Sequence, residues 1–272
     1  MEYAVLAHSG DVGARLVAAK LGERVGTDVV GLVLAEELTL APCFSHRVGP
    51  EGEETELRLA DGRSLHSHEL RGVVSRLTDA PAPRFARNPR ADRDYAAMEG
   101  YALLLSWLAS LPCPVVNPAS PRGLAGPALG LLEWLALGAA AGLPPRRFRL
   151  GHPGAPAPEG SWLGLRAQMA SSSSVGLAPL AQARPGEPTL WAEPVEEPLF
   201  EALVVGDRVF GAVGHAARGG CVELARRAGC AVLAVHLACG RRGTVLCGAD
   251  PMPELGPAAA TALAQLVLEQ VA

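Results

Sequence analysis

Residues able to do chemistry gather toward the C-terminus of this chain. The stretch VLCGADPMPELG, Val245 to Gly256, reads as a strand running into a turn built by Pro251 and Pro253. Such a corner suits a metal ion, yet Asp250 is its only carboxylate before the turn. Upstream, AVHLAC carries His236 and GAVGHAA carries His215; with Asp250 brought close and Cys247 nearby, imidazole and carboxylate would make an acid–base pair. A histidine satisfied inside a packed sheet is the plainer reading. The triplet HSH places His66 and His68 on one face if extended, but a third ligand is lacking and surface histidines fit better. Six cysteines, Cys43, Cys113, Cys221, Cys230, Cys239 and Cys247, occur without a CxxC pair, so no two thiolates have zinc spacing. Buried reduced thiols are expected, although Cys239 and Cys247 could face one another across a hairpin at GRRG.

Composition narrows the chemistry further. Lys20 is the sole lysine among 24 basic side chains, so a mechanism that needs a lysine in the C-terminal half is excluded. At 272 residues and 49% hydrophobic content the chain can bury a core as one large domain or two moderate ones. A net charge of -4 leaves no overall cationic footprint for nucleic acid. Glu2 stands where an export signal would carry positive charge. The longest apolar run, Ala128 to Leu143, contains Glu133 and is shorter than the ~20 residues that cross a bilayer. A soluble cytoplasmic protein with no nucleic-acid or membrane partner is the expectation.

The elements that must position these residues follow from periodicity. Tyr3 to His8 reads as a buried strand, Val12 to Val25 as a helix capped by Ser9 or Asp11, and Asp28 to Leu34 as a second strand: a parallel βαβ unit. The HSGDVG turn lacks phosphate-loop spacing and is read as a plain turn. Cys43 to Leu70 alternates as an antiparallel excursion on the edge of the sheet, and Gly72 to Leu77 is a third strand candidate. Asp92 is expected to cap a helix over Arg93 to Leu111 whose Tyr95, Met98, Ala102 and Leu105 share a stripe. PCPVVNP makes a short strand, and a helix is expected over Pro127 to Ala141. Thereafter RFRL, WLGLRAQ, TLWAEPV, FEALVV and DRVFGAV are strand-like, with a hairpin at Gly206-Asp207. A helix over Val222 to Ala228, strands over Ala231 to Ala238 and Thr244 to Cys247, and a helix over Pro257 to Val271 complete an α+β segment. Trp107 and Trp134 are expected core anchors, and Arg146, Arg147 and Arg149 a solvated strand edge.

Read in order, DRDYAAMEGYALLLSWLASLPCPVVNP, the GLAG-containing segment ending in AGLPP, EPLFEALVVGDRVFGAV and AGCAVLAVHLACGRRGTVLCGADPMPELG resemble the ATP-grasp ligases of the RimK-like kind and the ligases that mature ribosomal peptides. The resemblance covers about two-thirds of the chain. It implies an α/β fold: a Rossmann-like pre-ATP-grasp domain over 1–117, a helical connector over 118–150 and a reduced α+β ATP-grasp-like domain over 151–272. It also implies ATP and Mg²⁺ chemistry, in which a carboxylate is activated as an acyl phosphate and an amine displaces the phosphate.

Transferred position by position, the pattern shows substitutions. Where the family has a lysine this chain has Arg166, and the small-residue loop holds Ser171, Ser172, Ser173 and Ser174; Arg166 can still neutralise phosphate with a planar fork. Glu193 lies where the family recognises adenine and ribose. Glu201 stands where an arginine would meet the phosphates, and like charges near 4 Å repel by about 1 kcal/mol in water and more in a drier cleft. The three oxygen ligands for magnesium are replaced by His236, Gly248 and Asp250, of which only His236 and Asp250 can ligate at all. The expectation is a degenerate relative acting as a binding or scaffolding partner of an active ligase or a peptide substrate, with homo-oligomerisation open. The alternatives are an active divergent ATP-dependent carboxylate-amine ligase, using Arg166 and Asp250 with help from Arg208, Arg241 or Arg242, and unrelated chemistry on the same scaffold.

Overall fold

The computed structural model describes residues 1–50, 52–152, 163–166, 189–193, 195–240 and 243–271. Two compact units divide the chain out of sequence order. The first comprises Met1–Pro127, Gly229–Ala231 and Glu254–Ala272, the second Ala128–Ala228 and Val232–Pro253. Among the described residues no helix is long and apolar enough to cross a membrane.

In the first unit β1 (Tyr3–Ala7), α1 (Val12–Val25) and β2 (Val30–Leu34) form the expected βαβ element. A short helix α2 (Ala35–Leu40) leads into an antiparallel meander of β3 (Cys43–Gly49), β4 (Gly52–Arg58) and β5 (Ser64–His66), the expected excursion, which forms a sheet of its own instead of extending the edge of the parallel one. The chain returns through β6 (Gly72–Arg76), α3 (Arg90–Ser110) and β7 (Val115–Val116), giving a parallel sheet in the order β2-β1-β6-β7. Every residue of β1 and β6 is buried, as central parallel strands covered on both faces require. The C-terminal helix, Pro257–Val271, packs against α1 and β6.

Asp11 rather than Ser9 caps α1, its Oδ1 accepting from the Ala14 amide at 2.8 Å. Its Oδ2 accepts from Arg76 Nε at 2.5 Å, and both side chains are largely buried. One carboxylate thus closes a helix end and neutralises a cation at the carboxyl edge of the sheet. Trp107 is fully buried and meets Phe44 edge-on at 5.5 Å, fastening α3 to the meander. His46 adds a polar fastening, with Nδ1 at 2.8 Å from Thr55 Oγ1 and Nε2 at 2.9 Å from Ser106 Oγ.

Two expectations for α3 change. The helix starts at Arg90 behind Pro89, so Asp92 sits inside the first turn, where it complements the helix dipole instead of capping. The stripe of Tyr95, Met98 and Ala102 lies on the exposed face, with Leu105 half-buried; Leu104, Trp107 and Leu108 take the core. Helical spacing identified an apolar stripe but not which of two stripes faces inward.

In the second unit α4 (Leu131–Ala140) begins four residues later than the Pro127 expectation, because Glu133 accepts from the Gly130 amide at 2.8 Å and sets the start there. β8 (Phe148–Gly151), β9 (Leu163–Arg166) and β10 (Thr189–Ala192) form one antiparallel sheet in the order β8-β10-β9. β11 (Glu196–Val205), β12 (Arg208–Phe210), β13 (Val232–Gly240) and β14 (Gly243–Asp250) form another in the order β12-β11-β13-β14. The hairpin at Gly206-Asp207 is present, with φ of +57° at Gly206. Helix α5 (His215–Arg227) starts seven residues before the expected Val222, since its first turn is polar and carries no apolar periodicity. Gly138 lets α4 approach β14, because a Cβ there would collide with the Leu246 side chain.

The cysteines are free thiols, as expected, and Cys239 and Cys247 do not face one another across the hairpin: Cys239 pairs in register with Thr244, while Cys247 lies deeper in the strand. Burial pushes the Cys113 and Cys221 thiols up to about 11 and the Cys230 thiol up to about 12, in Cys113 with some help from the charge of Glu53. Such thiols stay protonated at pH 8, and only the thiolate attacks. Iodoacetamide at pH 8, read by peptide mass spectrometry, should therefore label exposed Cys239 before Cys221 or Cys230; labelling of Cys230 in the native protein at the rate of Cys239 would contradict the packing. Replacing Asp11 by Ala removes a cap and leaves Arg76 without this partner. Urea denaturation should show a loss of about 3 kcal/mol, and a loss under about 0.5 kcal/mol, the size of an ordinary surface change, would show that the pair does not matter.

Candidate functional site

The second unit's four-stranded sheet brings the C-terminal candidates onto adjacent strands. In the register of β11 and β13 Glu201 stands opposite His236, and His236 in turn stands opposite Gly248 of β14. Glu201 Oε2 lies 3.8 Å from His236 Nδ1, with the carboxylate side chain about half exposed and the imidazole 20% exposed. The pair is thus an acid beside a base at a partly wet surface. Two residues along, Ala234 stands between Leu203 and Asp250 in register, and beside His236 itself Gly248 brings no side chain.

The ladder is irregular at this point. His236 pairs with Gly248 but Leu237 pairs with Leu246, so Cys247 is the extra residue of a bulge on β14. Leu246 and Cys247 are both buried, and burial continues without alternation through Gly248, Ala249 and Asp250. Asp250 closes the strand at 8% exposure, its Oδ1 accepting from the Met252 amide at 2.8 Å across the Pro251–Pro253 turn. Its carboxylate therefore serves the corner itself.

His215 is placed apart from this pair in function, as the exposed first residue of α5; among the described residues no ion pair joins it to His236 or Asp250. His66 ends β5 and His68 falls in a 3-10 turn, their rings 5.7 Å apart and tilted. No group of three His, Cys, Asp or Glu able to hold a metal occurs among the described residues.

Two of the nucleotide candidates, Arg166 and Glu193, belong to strands of the three-stranded sheet or follow one directly. Arg166 is the last residue of β9, paired in register with Thr189. Ser171, Ser172, Ser173 and Ser174 lie outside the described residues, as do Arg241 and Arg242. Glu193 follows β10, and both of its backbone groups are engaged: its amide donates to Arg147 O at 2.9 Å and its carbonyl accepts from Arg146 Nε at 2.5 Å.

Arg146 is the residue that sequence reasoning misplaced. Arg147 and Arg149 are exposed, as a strand edge should be, but Arg146 is only 4% exposed. The segment Pro144–Arg146 pairs with Leu246 beside the bulge, with Leu246 N donating to Pro144 O at 2.8 Å and Arg146 N to Leu246 O at 2.9 Å. That backbone pairing draws the guanidinium inside. Burial pulls its pKa down, against an upward pull from Cys247 and Glu193. The same burial raises the Cys247 thiol, partly offset by Arg146. Three arginines in a row before a strand gave no sign of which one would point inward.

The described donor set does not fit Mg-ATP. Magnesium needs hard oxygen ligands in near-octahedral order; here a carboxylate is occupied by a turn amide, an imidazole faces another carboxylate, and the third position is glycine. A triphosphate would also meet the negative charge of Glu201.

Comparison with family models finds no match, and no curated protein matches. Solved structures do match over nearly the whole chain. The macrocyclase MdnC from Microcystis aeruginosa MRC, bound with precursor peptide MdnA, is 11% identical with a TM-score of 0.74, covering 98% of this chain and 99% of that one. A Chryseobacterium gregarium RiPP-associated ATP-grasp ligase, in complex with ADP and a leader and core peptide, is 11% identical with a TM-score of 0.72, covering 99% and 97%. A RimK domain ATP-grasp protein from Sphaerobacter thermophilus DSM 20745 is 16% identical with a TM-score of 0.57, covering 98% and 100%. The chain thus has the fold of this macrocyclase and of the two ATP-grasp proteins.

Proposed function

We propose that this chain is a degenerate ATP-grasp protein that works as a binding or scaffolding partner in a ligation or peptide-modification pathway. The observation that carries the reading is the Glu201–His236 pair, a carboxylate 3.8 Å from an imidazole across the two central strands. The resemblance puts a phosphate-binding arginine and a magnesium-binding aspartate at those positions. Exchanging both reverses the local charge order, and groups that act as a unit in charge stabilisation lose most of their effect when several are removed together. Precursor peptides bound to MdnC and to the Chryseobacterium gregarium enzyme support a peptide as the partner.

Arg166 supports the competing reading, an active divergent carboxylate-amine ligase, since a guanidinium on β9 can still contact phosphate. The two readings part on nucleotide. Calorimetric titration of the full chain with Mg-ATP should give no saturable heat, and incubation with Mg-ATP should release no ADP above the protein-free control. A clear ADP yield that disappears in Arg166→Ala would replace the scaffold reading with the ligase.

A further inference from the structure

Where the meander of the first unit meets α3, four polar side chains form a continuous hydrogen-bonded line from the surface inward. Ser106 Oγ lies 2.9 Å from His46 Nε2, and His46 Nδ1 lies 2.8 Å from Thr55 Oγ1. Thr55 Oγ1 in turn donates to Glu53 Oε2 at 2.9 Å. Strand register sets His46 opposite Thr55, and Glu53 Oε2 comes within 3.7 Å of His46 Nδ1 itself. Ser106 is exposed, whereas the His46 and Glu53 side chains are 6% and 9% exposed and Thr55 is buried. Glu53 Oε1 is buried with no hydrogen-bond partner among the described residues.

The carboxylate at the inner end fixes the direction of every bond in the line. It only accepts, so the single hydroxyl proton of Thr55 goes to Glu53, and the Thr55 oxygen must accept from His46 Nδ1. A neutral imidazole with its proton on Nδ1 has a bare lone pair on Nε2, and Ser106 therefore donates to it. A hydroxyl at the water boundary, a base beneath it and an acid behind the base are the three roles of nucleophilic acyl transfer, which geometry identifies whatever their order in the chain. Ser110, about one turn along the same helix, is the contrast: its Oγ donates to the Trp107 carbonyl at 2.9 Å, which accepts no proton. Amides inside a helix pair with carbonyls four residues back, so α3 has no spare N–H for an oxyanion at Ser106. The acyl donor must then bring a good leaving group of its own, as an activated ester or thioester does. A cavity of about 170 Å³ in the same unit counts Phe44, Leu103 and Leu104 among its walls. Phe44 precedes His46 by two residues on one face of β3, and Leu103 precedes Ser106 by one helical turn. That volume suits an apolar group about the size of benzene.

We propose that Ser106 is a nucleophile activated by His46, with Thr55 and Glu53 as positioning residues, and that it accepts a short apolar acyl group from an activated ester or thioester. Ser106 Oγ bonds to the acyl carbon while its proton passes to His46 Nε2. The bond from that carbon to the leaving oxygen or sulfur breaks, and the departing group takes the proton from His46, leaving the acyl ester on Ser106. Glu53, through Thr55, offsets the positive charge that the imidazole carries in between. The site lies wholly in the first unit and stands whichever reading of nucleotide binding holds.

The full chain is incubated with p-nitrophenyl acetate or p-nitrophenyl hexanoate, and each acylated serine is quantified by peptide mass spectrometry. Ser106 should gain the acyl group at least ~100-fold faster than exposed Ser9 or than Ser110, the lower end of what a general base contributes. His46→Ala should remove that advantage. Ser106→Ala should abolish the ester and keep the circular dichroism of the wild type, since alanine is the best helix former. Thr55→Val should slow Ser106 by about tenfold, the worth of one hydrogen bond to a charged group, and Thr55→Ser should restore the rate. Hexanoate should outpace acetate by about tenfold, a factor that burying roughly two methylenes supplies. Acylation of Ser106 no faster than that of Ser9 and Ser110, an ester on Ser106 undiminished by His46→Ala, or equal rates with acetate and hexanoate would each overturn the proposal. The comparison of serines within the wild-type molecule decides it even where a variant fails to fold.

Discussion

Charge placement on two neighbouring strands governs what this molecule can hold. β11 and β13 fix Glu201 opposite His236, and the register leaves no freedom to swing another side chain into that position. A slip of one residue would turn both to the opposite face and expose Ala202 and Val235, which are completely buried. The packing of the sheet therefore enforces the acid–imidazole pair whatever ligand the surface meets. Everything said of nucleotide and magnesium follows from this juxtaposition and from the glycine that stands beside it.

The rest of the second unit arranges polar groups in the same economical way. The strand that carries the Cys247 bulge is buried from Leu246 to its end, where Asp250 accepts from the amide beyond Pro251. The Pro144–Arg146 segment uses the bulge's neighbour, Leu246, for backbone pairing and carries a cation inward as a result. Structure at this corner is self-sufficient in hydrogen bonds at Asp250 and deficient at Arg146.

Much of the architecture was legible in the sequence. Helix α1 and the C-terminal helix match their expected bounds, because a capping Asp11 or an initial Pro257 coincides with apolar periodicity. The strands of the meander were readable from alternation and turn residues, while the order of strands within the sheets came only with the structure. Helix starts failed where the first turn is polar or where a capping glutamate acts from inside, as in α5 and α4. The inward face of α3 was misjudged because Tyr95 and Met98 compete with Leu104 and Trp107 at equal spacing, and only tertiary packing chooses between them. At the site, the types at 201, 236, 248 and 250 were legible, and their mutual register became visible only with the sheet. The buried state of Arg146 had no signal, since its cause is a backbone pairing with a strand a hundred residues away.

On the function proposed above, a triphosphate finds too few countercharges at these positions, and restoring them tests that reading most directly. The measurement is the Mg-ATP affinity of the wild-type chain against a triple variant, Glu201→Arg, His236→Asp and Gly248→Glu, by calorimetry with circular dichroism to verify folding. The account predicts no saturable binding to the wild type and measurable binding to the folded variant. Saturable binding to the wild type at equal or greater strength than to the variant would contradict it.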